Sequence, residues 1–169
     1  MKVIQYPDDT LRLACEPVVE GQSEIQDTIR HLLATLNNSS GIGLAAIQLG
    51  FKHRIFVMDP EKTGNAIVVA NPRIVLGYDL KDKIEGCLSF PGIFERVPRY
   101  EKIDAAFDVI DPVTMKFVSA KDTLTGVNAH VFQHETEHLS GYLLIDHLLP
   151  HLQTRIKRKM EKRRSRGWA

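Results

Sequence analysis

Residues 124–141, LTGVNAHVFQHETEHLSG, decide how the chain is organised. At about 100° per residue, Val127, Val131, His134 and His138 share one narrow stripe of a helix, with Leu124 and Glu135 at its edge, and Gly141 supplies the stop. Two histidines thus occupy the face that ought to be buried. Upstream, short runs rich in β-branched residues (RIFVMD from Arg54, AIVVA from Ala66, RIVLGY from Arg73, IDAAFDVID from Ile103 and KFVSA from Lys116) are punctuated by Asp59-Pro60 and Asp111-Pro112 turns. They predict mostly antiparallel strands grouped around a central helix that carries polar groups inward, an α+β fold.

A second amphipathic helix precedes the strands. Ile25, Ile29, Leu32, Leu33 and Leu36 recur at helical spacing, Ser23 and Gln26 have the spacing of a capping box, and NNSSG ends the pattern. The chain of 169 residues, 43% hydrophobic and 25% charged, has the length of one globular domain. It shows no internal repeat, no apolar run of the ~20 residues needed to cross a bilayer, and no signal-peptide core after MKVIQYPDD. A cytoplasmic protein without membrane attachment, and a monomer, is the expectation. Cys15 and Cys87 allow one bridge at most; Cys15 reads as a small buried hydrophobe.

Net charge is +1, but the sum hides an asymmetry: residues 151–169 hold eight Lys/Arg against the single acid Glu161, leaving the rest of the chain acidic. The expected organisation is one globular domain over 1–149 and a basic helix over 150–169, opened by Pro150, for which a polyanionic partner is a candidate.

His134, Glu135 and His138 form HETEH, an instance of HExxH. Histidines four apart on a helix can reach one divalent ion, while Glu135 beside them can take a proton from water that the ion acidifies. The third ligand is open from this motif alone. A metzincin histidine is missing, since Leu144 stands at that position, and the only downstream glutamate at thermolysin-like distance is Glu161, inside the basic stretch. EGCLSFPG, from Glu85 to Gly92, offers Cys87 as a thiolate candidate, and GIGLAAIQ, from Gly41 to Gln48, is glycine-rich without the features of a phosphate loop.

These three segments, in order and separation, resemble the active-site motifs of peptide deformylases, and IQYPDDTLRLACEPV resembles the start of that family, so the resemblance spans nearly the whole chain. It implies a metal held by Cys87, His134 and His138, acid/base work by Glu135, and oxyanion stabilisation by the Gln48 side chain and the Leu88 amide. The implied metal is ferrous iron, replaceable by Zn2+, Ni2+ or Co2+, and the implied substrates are N-formylmethionyl nascent peptides. Ile42, Gly43 and Gly86 match positions along the substrate backbone; His130 and Val131 match the wall of the first side-chain pocket. Glu137 stands where the family usually has Asp, and His130 where an apolar residue is common. Glu85 and Arg99 are expected to form a buried ion pair that orients the EGCLS segment. The resemblance also implies docking of the basic C-terminal helix near the ribosomal exit tunnel. HETEH alone is compatible with a zinc endopeptidase, and the basic stretch alone with a nucleic-acid-binding module; three ligands plus a base describe an open, catalytic site.

Overall fold

The computed structural model describes residues 1–167. Helix α1, Glu24–Asn37, forms where the apolar spacing requires it, burying Ile25, Ile29, Leu32 and Leu36 against Leu44, Ile55, Val57 and Val68. The expected Ser23 cap does not form. Ser23 is itself helical (φ −65, ψ −31) and makes no side-chain cap bond, so the first turn is held by the Gln26 N–H donating to the Ser23 carbonyl at 3.3 Å.

Five antiparallel strands follow in the spatial order of the chain: β1 Gly43–Ala45, β2 Ile55–Met58, β3 Ile67–Gly86, β4 Phe94–Ile110 and β5 Phe117–Thr125. The glycine-rich segment thus contributes the edge strand β1. The AIVVA and RIVLGY runs are one strand rather than two. Between them Asn71 takes φ +50 and Pro72 lacks an N–H, which shifts the register between Ala70 and Arg73 without ending the strand. The Asn71 side chain closes the gap by accepting from the Val18 N–H at 2.9 Å and donating to the Val18 carbonyl at 2.8 Å. Both long strands continue past the sheet as a two-stranded ribbon, paired as far as Gly86 with Phe94. Val97, Arg99, Glu101, Ile103 and Ala105 alternate onto its inner face.

Helix α2, Gly126–His138, lies against that face. It starts two residues later than the spacing predicts, because Leu124 and Thr125 still pair with β4 and Gly126, at φ +55, makes the turn. Nor is one stripe buried. Ala129 and Phe132 pack into the sheet, with Phe132 edge-on to Phe56 at 5.3 Å, while Val131, Glu135 and His138 are buried on another side. Val127 is 46% exposed. A buried polar residue ties the helix down: Gln133 accepts from the Tyr100 N–H at 2.9 Å and donates to its carbonyl at 2.8 Å, completing the edge of β4 beyond the last pair with β5.

Helix α3, Pro150–Ser165, buries Ile156 and Met160 in a cluster with Leu11, Phe90, Val97 and Leu144. Its cations reach the segment after Cys87, through an Arg155–Glu95 ion pair and a Lys159 Nζ bond to the Gly92 carbonyl at 2.9 Å. The last two residues of the basic C-terminal stretch lie outside the described residues. Among the described residues, no helix is long and apolar enough to cross a membrane.

Candidate metal centre

Strand β3 delivers Glu85 and Gly86 to the end of α2 and then turns sharply. The Phe90 N–H donates to the Cys87 carbonyl at 2.9 Å and the Ile93 N–H to the Phe90 carbonyl at 3.0 Å, returning the chain to β4. This turn is latched from below. Ser89 is fully buried, its hydroxyl donates to the Ile4 carbonyl at 2.8 Å, and its carbonyl accepts the Tyr6 N–H at 3.0 Å. The result fixes Cys87 opposite α2.

Cys87, His134 and His138 each present one ligand atom within 4.8 Å of the others, and Cys87 Sγ lies 3.2 Å from His138 Nε2. One thiolate and two imidazoles form a donor set suited to borderline and soft divalent cations such as iron, zinc, nickel or cobalt, and poorly suited to magnesium or calcium. Glu135 lies beside them, 3% exposed, and its Oε2 is buried without a hydrogen-bond partner among the described residues. A lone buried carboxylate oxygen is costly unless a polar group fills the space it faces. The residues therefore fit a metal and its reacting partner. Burial drives the Glu135 pKa up to about 7, against the opposing pull of His134. Burial, with His134 next to it, also lowers His138 well below its usual value, keeping that imidazole neutral as a ligand must be. His134 is driven the other way: Cys87, Glu85 and Glu135 outweigh burial and draw positive charge to this spot, where a cation would supply it.

A second layer orients the ligands. His134 Nδ1 is 3.1 Å from Glu85 Oε2, leaving its other nitrogen toward the cluster. Glu85 in turn receives two bonds from Arg99, Nε to Oε1 at 2.8 Å and Nη2 to Oε2 at 3.0 Å, so the expected ion pair is present, with the Arg99 side chain 1% exposed. Arg99 also donates to both Glu137 oxygens, at 2.6 and 2.9 Å, and Glu137 lies 3.0 Å from His147 Nε2. Glu137 is thus no ligand; its extra methylene reaches the buried guanidinium. The sequence reading missed His147, which sits 10 residues past Glu137 on a separate turn.

Burial alone would raise Glu85, but hydrogen bonds from His134 and Arg99 hold it at about 2. A depressed carboxylate contributes stability that is complete above its unfolded pKa near 4.5 and is lost as pH falls toward about 2. The gap corresponds to something on the order of 3 kcal/mol, undiminished by solvent since the Glu85 side chain is only 12% exposed. Urea unfolding of metal-free protein should show Glu85→Gln less stable than the parent at pH 5, with the deficit shrinking as pH approaches 2. A deficit that stays constant across that window contradicts the assignment.

The third wall comes from the 41–48 segment. Gln48 is 2% exposed; its Oε1 accepts the Ala45 N–H at 2.8 Å, and its Nε2 lies 3.1 Å from Ser89 Oγ and 3.7 Å from Cys87 Sγ. Gly43 is forced by contact, since a Cβ there would stand 2.4 Å from Glu135 Oε1 and 2.8 Å from Val131 Cγ1. Together the three walls enclose a cavity of about 690 Å³. Glu135, Gln48, Leu88, Cys87, His134, Ile42, Gly43, Gly86, His130 and Val131 all line it. His138, 1% exposed, closes the cluster from behind. Lys83, Ile84, Phe94 and Val127 also line the cavity and were not assigned to the site from sequence, although counting back two along β3 from Glu85 finds Lys83.

The sequence profile of the polypeptide deformylase family matches residues 1–154. Peptide deformylase 1 of Shewanella oneidensis is 35% identical over 96% of this chain and 94% of its own length. Among solved structures, a peptide deformylase from Legionella pneumophila superposes with a TM-score of 0.86 at 33% identity, covering 97% of this chain and 95% of that one. Another, from Ehrlichia chaffeensis, gives 0.86 at 27% identity over 100% and 99% of the two chains. The metal-ligand cluster, the fold around it and these likenesses agree, and the chain belongs to the peptide deformylase family, metallohydrolases that remove the N-formyl group from nascent peptides.

Proposed function

We propose that the protein is a cytoplasmic, monomeric iron enzyme whose Cys87, His134 and His138 hold the cation. The observation that carries this reading is the convergence of those three ligand atoms within 4.8 Å beside the unpartnered Glu135 oxygen. A divalent cation held there supplies Lewis acidity toward the formyl carbonyl and toward water. Glu135 accepts the proton of the attacking water and passes it to the departing amine. Gln48 Nε2 and the Leu88 N–H donate to the oxyanion that develops on the formyl oxygen. Ile42 and Gly43 on one side and Gly86 on the other offer backbone edges along which an extended peptide can lie. The test is formate release from formyl-Met-Ala-Ser under anaerobic conditions, with metal analysis on the same sample. Iron and turnover are expected together; full activity after prolonged aeration assigns zinc or nickel instead, since a thiolate-ligated ferrous centre is oxidised.

The second element of the reading is delivery. Exposed Lys157, Arg158 and Lys162 on α3 would contact ribosomal RNA near the exit tunnel while Ile156 and Met160 anchor the helix. Because those two are core residues, deleting the helix would open the cluster around Phe90, and charge reversal is the cleaner probe. Lys157→Glu/Arg158→Glu/Lys162→Glu should leave hydrolysis of a short formyl peptide within about twofold. It should also weaken low-salt co-sedimentation with ribosomes and lower the log–log salt slope by about 2–3. Unchanged co-sedimentation removes this partner.

A further inference from the structure

Helix α2 meets the inner face of the β3–β4 ribbon at two successive turns, and only one of them belongs to the chemistry above. There, His134 faces Glu85, which pairs with Arg99. One turn earlier the pattern recurs: His130 faces Glu101, Nε2 lying 3.7 Å from Oε2, and Glu101 pairs with Lys83. Lys83 and His130 line the cavity. The His130 Nε2 is buried and makes no hydrogen bond among the described residues. This second step touches no ligand and supports no catalytic group, so its cost needs another explanation.

Position supplies one. With the formyl carbonyl at the metal cluster, the first substrate residue is the one whose side chain branches within a few bonds of the cluster. Its main chain has the backbone edges at Gly43 and Gly86 to follow, which leaves the side chain the direction back along α2, past Val131 to His130 and Lys83. Four residues of helix span about 6 Å, the reach of a four-atom side chain. The stem of that side chain would meet Val131 and Ile42, and its tip Lys83 and His130, with Glu101 behind them as the partner of both.

We propose, resting on the deformylase reading, that Lys83 and His130, held by Glu101 behind them, form a polar end to the first side-chain pocket and favour N-formyl peptides whose first residue has a hydrogen-bond-accepting tip, methionine sulfoxide above all. A hydrocarbon tip displaces water from the part-exposed Lys83 and from the cavity face of His130 and returns no hydrogen bond. A thioether is a weak acceptor and a sulfoxide oxygen a strong one. The expected order of kcat/KM is sulfoxide at or above methionine, and methionine above norleucine, with about tenfold between the extremes.

The experiment compares formyl-Met(sulfoxide)-Ala-Ser, formyl-Met-Ala-Ser and formyl-Nle-Ala-Ser on metal-loaded parent, on His130→Leu, and on the triple variant Lys83→Leu/Glu101→Leu/His130→Leu. The single variant keeps the Lys83–Glu101 pair, and the triple leaves no unpaired charge, so failure of one to fold leaves the other. A sulfoxide-to-norleucine ratio above one in the parent, falling at least fivefold in whichever variant folds with unchanged metal content, supports the proposal. A ratio below one in the parent, or one that the variants fail to move, overturns it while leaving the deformylase reading intact. No formate from any of the three peptides overturns both.

Discussion

Glu135→Gln is expected to lower kcat by about 10²–10⁴-fold, the range of a positioned acid/base group, with metal content and KM changed little. The amide is nearly isosteric, and Cys87, His134 and His138 remain to bind the cation. A second, opposite effect separates this role from a structural one. Burial raises Glu135 to about 7, so in the metal-free protein its ionisation opposes folding. The penalty is absent below the unfolded carboxylate pKa, grows as pH rises, and is complete above about 7. There it is on the order of 3 kcal/mol. Metal-free Glu135→Gln should therefore unfold at higher urea than the parent at pH 8, and at nearly the same urea at pH 4.5. Activity within threefold of the parent, or a variant less stable than the parent at pH 8, would remove Glu135 from the role given to it.

The helices and the metal-binding pair were legible because each rests on local spacing. Ile25, Ile29, Leu32 and Leu36 needed only a 3.6-residue period, and His134 and His138 only one turn of helix. Cys87 was legible through its neighbours rather than its spacing: nothing local says that a thiol so far ahead of His134 in the chain turns to face it, and the latch of Ser89 onto Ile4 that holds it there spans 85 residues. The ribbon of β3 and β4 was hidden for a different reason. Its outer half, from Leu80 to Gly86 and back through Phe94, mixes charges with apolar residues on both faces, and the inner face is polar because it holds Lys83, Glu85, Arg99 and Glu101 for the site. An alternating hydrophobic pattern cannot report a strand whose buried face is ionic. The single stripe read on α2 failed similarly, since the helix is enclosed from two sides and Phe132 and Gln133 face the sheet. Glu137 marks the limit of local reading: its position on the helix says it flanks the ligands, but its partner Arg99 is 38 residues away.

Arg99 is where the largest loss of stability is expected. Its side chain is 1% exposed and donates four hydrogen bonds to two carboxylates, Glu85 and Glu137, which are 12% and 24% exposed. Arg99→Met keeps much of the volume and removes every one of those donors. Two partly buried carboxylates then face each other with only His134 and His147 to compensate, and both must shift toward protonation. Breaking a buried pair from one side costs about 3–5 kcal/mol, which for a chain of this size is a Tm drop on the order of 10 °C. Lys in its place restores the charge but not the planar fork that serves Glu85 and Glu137 together, so Arg99→Lys should recover no more than about half of the loss. The combination Arg99→Met/Glu85→Gln/Glu137→Gln removes the stranded charges and should be more stable than Arg99→Met alone, because the penalty lies in the uncompensated acids rather than in the missing attraction. It should nonetheless bind metal less tightly than the parent, since the neutral amide that replaces the Glu85 carboxylate no longer holds His134 Nδ1 with a charged acceptor, and outer-shell losses of this kind weaken metal affinity by about 10–100-fold. A loss below about 1 kcal/mol in Arg99→Met, measured by urea unfolding at pH 7, would mean that the network is relaxed enough to dispense with its central cation.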